Sequence, residues 1–276
     1  MKYPLIAAKV FSEPWAVRDE TLSAIWHAVT GGAALPAPRA MDRFDDAQEA
    51  AESDDSNDIP VTGFTRVIPV FGILGKHLDS MEMQCGGCSV DKVSMMLTAA
   101  DRDPDCERIV LAFHSPGGTV TGIPELAAKI RDVGTRKDVI AYSDGMCCSA
   151  ALWLASQAET FLVSPSSAIG SVGVRLMILD ESERMAKEGV KVESFTSGKF
   201  KDMGASYKPL TDAERAMFKA RVDSIGLAFR AALTSRRAIS PEDMEGQCFS
   251  GEEAVAKGFA DGLASDLDEV LEIAAS

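Results

Sequence analysis

Three short apolar runs, Arg108-Ile-Val-Leu-Ala-Phe113, Val139-Ile-Ala-Tyr142 and Phe161-Leu-Val163, follow one another with a helix-forming segment in each gap. Such runs are too short for helices and rich in β-branched or aromatic side chains, so they read as buried strands. Two of them break sharply, at Ser115-Pro-Gly-Gly118 and at Asp144-Gly145. Strands separated by helices are joined by crossovers rather than hairpins, so the pattern predicts an α/β fold with a parallel sheet and helical crossovers. Ligands in such sheets bind beyond the carboxyl ends of the strands. Both the SPGG turn and Ser149 follow a strand, which places them on one expected rim.

The other elements follow from spacing and turn chemistry. Thr65–Gly75 reads as a strand whose Pro69 suggests an edge or a bulge. Cys85-Gly-Gly-Cys88 reads as a glycine-rich loop, and Val90–Ala100 has helical apolar spacing. Pro124 sits in the first turn of a helix reaching Ile130. A helix over Leu179–Glu188 and a strand over Lys191–Phe195 come next. Thr211-Asp-Ala-Glu214 is a capping box that opens a long helix toward Arg237, and a last short helix near Glu252–Lys257 ends at Gly258. Near the start, Arg18–Val29 is amphipathic through Leu22, Ile25, Trp26 and Val29. Residues 42–58 carry eight acids against one base, a solvated linker. The expected division is therefore an N-terminal arm with acidic linker over residues 1–58 and a main domain over 59–276.

Charge and cysteine usage exclude several functions. The net charge is −14, and no Lys/Arg run is present, so nucleic acid is not an expected partner. No apolar run reaches the roughly 20 residues that cross a bilayer, so no membrane partner is expected and the expected location is cytoplasmic. Six cysteines in a chain of 276 residues suit a reducing compartment. Cys85 and Cys88 have the spacing of half a zinc site, but no second pair follows, and no metal or other cofactor is expected.

The chemistry is concentrated in Val139–Val174. Ser149 lies where a turn gives way to Ala-Ala-Leu-Trp-Leu-Ala, near a helix N-terminus, where free backbone N–H groups favour developing negative charge. Serine is also a common harmless cap there. Cys147 and Cys148 precede it and read as small wall residues. A serine nucleophile needs a base within hydrogen-bond reach. All three histidines, His27, His77 and His114, precede Ser149, and only His114 stands near the rim, where it reads as a partner of the glycine turn. A lysine whose charge is disfavoured by burial serves equally well. Lys199, Lys201 and Lys208 all lie in one glycine-flanked segment, and residue chemistry does not choose among them.

With SPGG after a buried strand, DGMCCSAA before a helix, then GSVG and SGKFKDMG in that order, the chain resembles the signal peptide peptidase A (protease IV) family of serine peptidases, over roughly Val67–Leu263. The resemblance implies the Clp protease/crotonase-like fold and a Ser-Lys dyad of Ser149 and Lys201. It further implies Ser171 as a supporting residue on the lysine, and an oxyanion hole from the N–H groups of Gly118 and Ala150. Departures are Cys147 and Cys148 where the family has smaller residues, and His114 before SPGG. An arm, an acidic linker and no anchor-like segment make the chain similar to peptidases of tailed phages and prophages that process scaffold and capsid proteins. The implied partners are protein or peptide substrates of that kind and further copies of the chain in a ring. The implied setting is host cytoplasm or the interior of a phage prohead. Alternatives are protein degradation of the signal-peptide-peptidase kind and a non-catalytic assembly protein on the same fold.

Overall fold

The computed structural model describes residue 10 and residues 13–31, 61–62 and 64–275. The acidic stretch 42–58 lies outside them. In chain order the elements are β1 (Trp15–Val17), α1 (Asp19–Gly31), β2 (Val61–Thr62), β3 (Thr65–Phe71), β4 (Ile73–Gly75), α2 (Ser80–Gln84), β5 (Gly87–Ser89) and α3 (Val90–Arg102). Next come β6 (Arg108–His114), β7 (Gly117–Thr119), α4 (Ile123–Val133), β8 (Asp138–Ser143), β9 (Met146–Cys148), α5 (Ala150–Ala155), β10 (Thr160–Val163) and β11 (Ala168–Gly170). The chain closes with α6 (Ser182–Lys187), α7 (Asp212–Thr234), β12 (Cys248–Ser250), α8 (Gly251–Ala256), β13 (Gly262–Leu263) and α9 (Leu267–Ala275).

The predicted parallel sheet is present. Six strands run in the order β13-β10-β8-β6-β3-β2, all neighbours parallel except the two-residue β2. Its strands read as unbroken apolar runs because both faces are covered. Ile68, Val70, Ile109, Leu111, Phe113, Val139, Ala141, Phe161 and Val163 face the main core. The alternate residues Val67, Val110, Ala112, Ile140, Tyr142 and Leu162 meet Val270 and Ala274 of α9. Pro69 pairs with Ala112 on one side only, beyond the reach of β2, so its missing N–H removes no ladder bond, as expected of an edge.

Two smaller sheets stand over the carboxyl ends of this one: β1-β7-β4-β5 and β12-β11-β9. They carry the site. Behind them, the Trp153 ring of α5 stacks on Phe229 of α7 at 4.7 Å and 5°. The long helix thereby braces the segment that follows Ser149. Its start is fixed by the predicted capping box, in which Thr211 accepts from the Glu214 N–H at 3.3 Å and Glu214 accepts from the Thr211 N–H at 2.8 Å.

Three expectations need correction. The CGGC loop is a turn for only half its length, since Gly87-Cys88-Ser89 pairs in parallel with β4. The helix expected over Leu179–Glu188 is reduced to Ser182–Lys187. Lys191–Phe195 is not a strand: its residues are exposed and pair with no strand among the described residues. Among the described residues no helix is long and apolar enough to cross a membrane, and no group of three or more His, Cys, Asp or Glu side chains could hold a metal ion.

Candidate active site

The glycine turn is stitched to the segment before Ser149 by backbone bonds. The Ser115 N–H donates to the Met146 carbonyl at 2.7 Å, and the Cys148 N–H donates to the Ser115 carbonyl at 3.1 Å. The Ser115 hydroxyl donates to the Gly72 carbonyl at 2.6 Å and accepts from the Gly117 N–H at 3.2 Å, which sets the direction of β7. Gly118 has to be glycine for a reason of space. A Cβ there would stand 1.9 Å from the Leu74 carbonyl oxygen, because β7 and β4 pair backbone against backbone at this residue.

Ser149 is the strained point of the rim. Its φ of 55° and ψ of −116° lie outside the regions an L-residue ordinarily adopts. Such a conformation costs about 1–3 kcal/mol and persists only where its surroundings over-determine it. Here they do: the Ser149 N–H donates to the Gly170 carbonyl at 2.8 Å, and its carbonyl accepts from the Trp153 N–H at 2.9 Å. The side chain is therefore turned off the path of both strand and helix. Ser149 is 1% exposed, and its Oγ has no hydrogen-bond partner among the described residues. A buried, unsatisfied hydroxyl is unfavourable in a folded chain, so one held by backbone strain calls for an explanation beyond packing.

Ala150 follows Ser149 in the chain, Gly118 and Ser171 each follow a residue that touches this segment, and Lys201 makes no bond to Ser149. The Gly117 position, next to Gly118, is 3.0 Å from the Ala150 nitrogen when a Cβ is built on it. Ser171 directly follows Gly170, has a positive φ of 56°, and donates its N–H to the Gln247 carbonyl at 2.6 Å. Lys201 is exposed, at the end of a stretch over 186–201 in which every residue is exposed. Because Ser149 Oγ is unpartnered, the two side chains are not bonded.

The neighbouring lysines are occupied otherwise. Lys208 holds Asp202 at 2.9 Å and Glu214 at 3.0 Å, and those two carboxylates raise its pKa above the ordinary lysine range. Lys199 lies over the Phe200 ring at 5.2 Å. His114 packs against Gly145, where a Cβ would meet its Nδ1 at 2.4 Å, so it belongs to the Asp144-Gly145 turn. Burial pushes the Cys147 thiol well above the usual range, and the Cys248 contact followed by burial does the same to Cys148. Both are wall residues, as expected.

Two participants were not foreseen. Cys248 of β12 lies 4.0 Å from Cys148 Sγ, and this contact lowers its thiol to about 7. It faces a cleft of about 340 Å³ that is also lined by Trp15, Arg18, Ser171 and Arg175. The second is β1 itself, which pairs antiparallel with β7. Pro14-Trp-Ala-Val17 is too short to show alternation, so nothing in its own pattern reveals a partner 102 residues away.

Residues 131–276 match the description Peptidase family S49. The capsid assembly protease C of Escherichia phage lambda is 30% identical over 210 residues, which is 74% of this chain and 47% of that protein. The head-tail preconnector protein GP5 of Enterobacteria phage P21 is 27% identical over 279 residues, 96% of this chain and 56% of that protein. A solved structure, the 1510-N membrane-bound stomatin-specific protease, aligns at 16% identity and a TM-score of 0.41 over 77% of this chain and 85% of that one. The chain spans about half the length of the curated relatives it matches.

Proposed function

The chain belongs to Peptidase family S49, and on that premise we propose that it is a serine endopeptidase in which Ser149 is the nucleophile and Lys201 the general base. The observation that carries the reading is the Ser149 hydroxyl, buried, unpartnered and held at a positive φ beside the glycine turn. In the proposed reaction Ser149 Oγ attacks a peptide carbonyl while Lys201 Nζ takes its proton. The N–H groups of Gly118 and Ala150 receive the oxyanion, each donor lowering the barrier by about 3 kcal/mol. Lys201 then returns the proton to the leaving amine, and water, activated the same way, releases the acyl group from Ser149. Ser171, beside Gly170, orients the lysine.

Lys201 reaches Ser149 in this reading from a neighbouring copy. The stretch that leads to it exposes Val190, Val192, Phe195 and Phe200, with Phe195 92% exposed. Apolar side chains grouped on one projecting segment mark a surface that another chain covers. Covering it would also strip water from Lys201 and favour the uncharged amine that a base requires. A head-to-tail ring supplies one such contact per copy. The proposed division is an arm over residues 1–58 and a peptidase unit over residues 59–276, and within it β1 pairs with β7 of that unit. Substrates are proposed to be scaffold or capsid proteins of a phage head, on the strength of the two phage relatives.

The test is labelling with a fluorophosphonate across about pH 6–10, followed by peptide mass mapping. Adduct at Ser149, rising with pH and lost in Lys201→Ala, is the expected result. Adduct at another residue, or undiminished adduct in Lys201→Ala, contradicts it.

A further inference from the structure

The strand β1 is gripped along both edges. On one side it pairs antiparallel with β7: Trp15 with Thr119, Ala16 with Gly118 and Val17 with Gly117. The ladder extends by a residue at each end, where the Arg18 N–H donates to the Pro116 carbonyl and the Val120 N–H to the Pro14 carbonyl, both at 3.1 Å. On the other side, Trp15 and Arg175 exchange N–H to carbonyl bonds in both directions at 2.9 Å. A segment held by main-chain bonds to a strand on one edge and to a β-bridge on the other is held as a peptide bound by strand addition is held.

Its register puts one carbonyl at the rim. Bonded pairs alternate along an antiparallel ladder, and the pairs 14/120 and 18/116 are bonded, so the pair between them, Ala16 with Gly118, is bonded too. The Ala16 carbonyl thus takes the Gly118 N–H. A point 2.2 Å from the Ala16 oxygen, where a Cβ of Gly117 would stand, is 3.0 Å from the Ala150 nitrogen. One of the two N–H groups assigned to the oxyanion hole, that of Gly118, is therefore taken by the Ala16 carbonyl, and the other, that of Ala150, borders the same space beside Gly117.

The side chains separate by face. The Ala16 methyl is fully buried in the main core together with Cys147 and Ala150. Trp15 and Val17 point the other way, into a cluster with Leu22 and Ile25 that Ile73 and Met177 complete. The position paired with Gly118 is thus filled by a single buried methyl, and the flanking positions by bulky apolar groups.

We propose that Pro14–Arg18 is an internal peptide ligand of the substrate groove, with Ala16 in the acyl position, and that other peptides enter only when this strand leaves. The occupant also defines the class of peptide the groove accepts: extended, with Ala or a residue no larger at the position of Ala16 and an aromatic or large aliphatic residue before it. The proposal rests on the reading of Ser149 as the nucleophile.

The test compares the rate of fluorophosphonate adduct formation at Ser149 in the full chain and in Ala16→Pro, which removes the N–H of the central pair. Loss of the strand is expected to raise the rate about tenfold, the equivalent of 1.4 kcal/mol of docking. A synthetic peptide with the sequence of Glu13–Glu20 should return the rate of Ala16→Pro toward that of the full chain. Equal rates in two folded proteins would overturn the proposal. Because Ala16→Pro could unfold the arm, hydrogen exchange of the unaltered chain gives a second answer: the adduct at Ser149 occupies the oxyanion site, so amides of Trp15–Arg18 should exchange faster once it forms. Unchanged protection of those amides in labelled protein would also overturn it. Absence of adduct at Ser149 in every form would instead remove the nucleophile reading, and the proposal with it.

Discussion

The proposed nucleophile side and the proposed base side of this site are built in opposite ways. Ser149, Gly118 and Ala150 sit on short strands and a helix whose side chains are almost wholly buried, and every backbone direction there is fixed by bonds between β4, β7, β9 and β11. Lys201 stands at the end of an exposed stretch over 186–201 with no ladder and no core. One half is finished by the fold of a single chain; the other is left exposed by it. The difference teaches that substitutions in the two halves should be felt by different measurements, stability in the first and assembly in the second.

The largest effect is expected at Gly118. A methyl there meets the Leu74 carbonyl oxygen at 1.9 Å, and the atoms nearest to it are all Leu74 backbone, with no flexible side chain to yield. Gly118→Ala should destabilise the protein by about 3 kcal/mol, the upper range for overpacking, and lower the melting temperature accordingly. A melting temperature equal to that of the unaltered protein would show that the glycine half is not rigid.

Phe195→Ser is the converse. At 92% exposure its ring contributes nothing to the isolated fold, so stability of the monomer should change by no more than about 0.5 kcal/mol. Sedimentation should nevertheless show weaker assembly, and peptide cleavage should fall with it. Unchanged assembly would mean that this stretch is not an interface.

The smallest effect concerns Cys248, which borders the cleft lined by Trp15, Arg18 and Ser171. Its thiol is lowered to about 7 by the Cys148 contact, and the thiolate is the reactive form, so its alkylation by iodoacetamide should rise with pH and reach half its maximum near 7. An ordinary thiol does so at about 8.5. A midpoint at or above the ordinary value would place Cys248 away from Cys148.

The same contrast decides what could be read from sequence. The central sheet was legible because both its faces are buried, so Arg108–His114 and Asp138–Ser143 are continuous apolar runs that end where glycine turns begin. Thr211 and Glu214 announced the long helix through side chains only three apart. Ser149 and the SPGG turn were placed on one rim by strand order alone. The pairing of β1 with β7 was not legible, since three residues carry no period and the partner strand is itself only Gly-Gly-Thr. Lys191–Phe195 misled for a related reason: its apolar residues are real, but Val192 and Phe195 are exposed and join no core cluster of the described residues. The choice of Lys201 over Lys199 and Lys208 came from resemblance, and the structure adds that Lys208 is held by two carboxylates.

The account turns on Ser149 and Lys201 meeting between copies, and mixing two inactive variants tests this most directly. Ser149→Ala and Lys201→Ala should each be inactive toward a peptide substrate. Co-assembled, they should regain activity at about a quarter of the sites of a random ring, wherever an intact serine of one copy faces an intact lysine of the next. No recovery from a mixture shown to co-assemble would mean that both residues act within one chain, and would contradict the account.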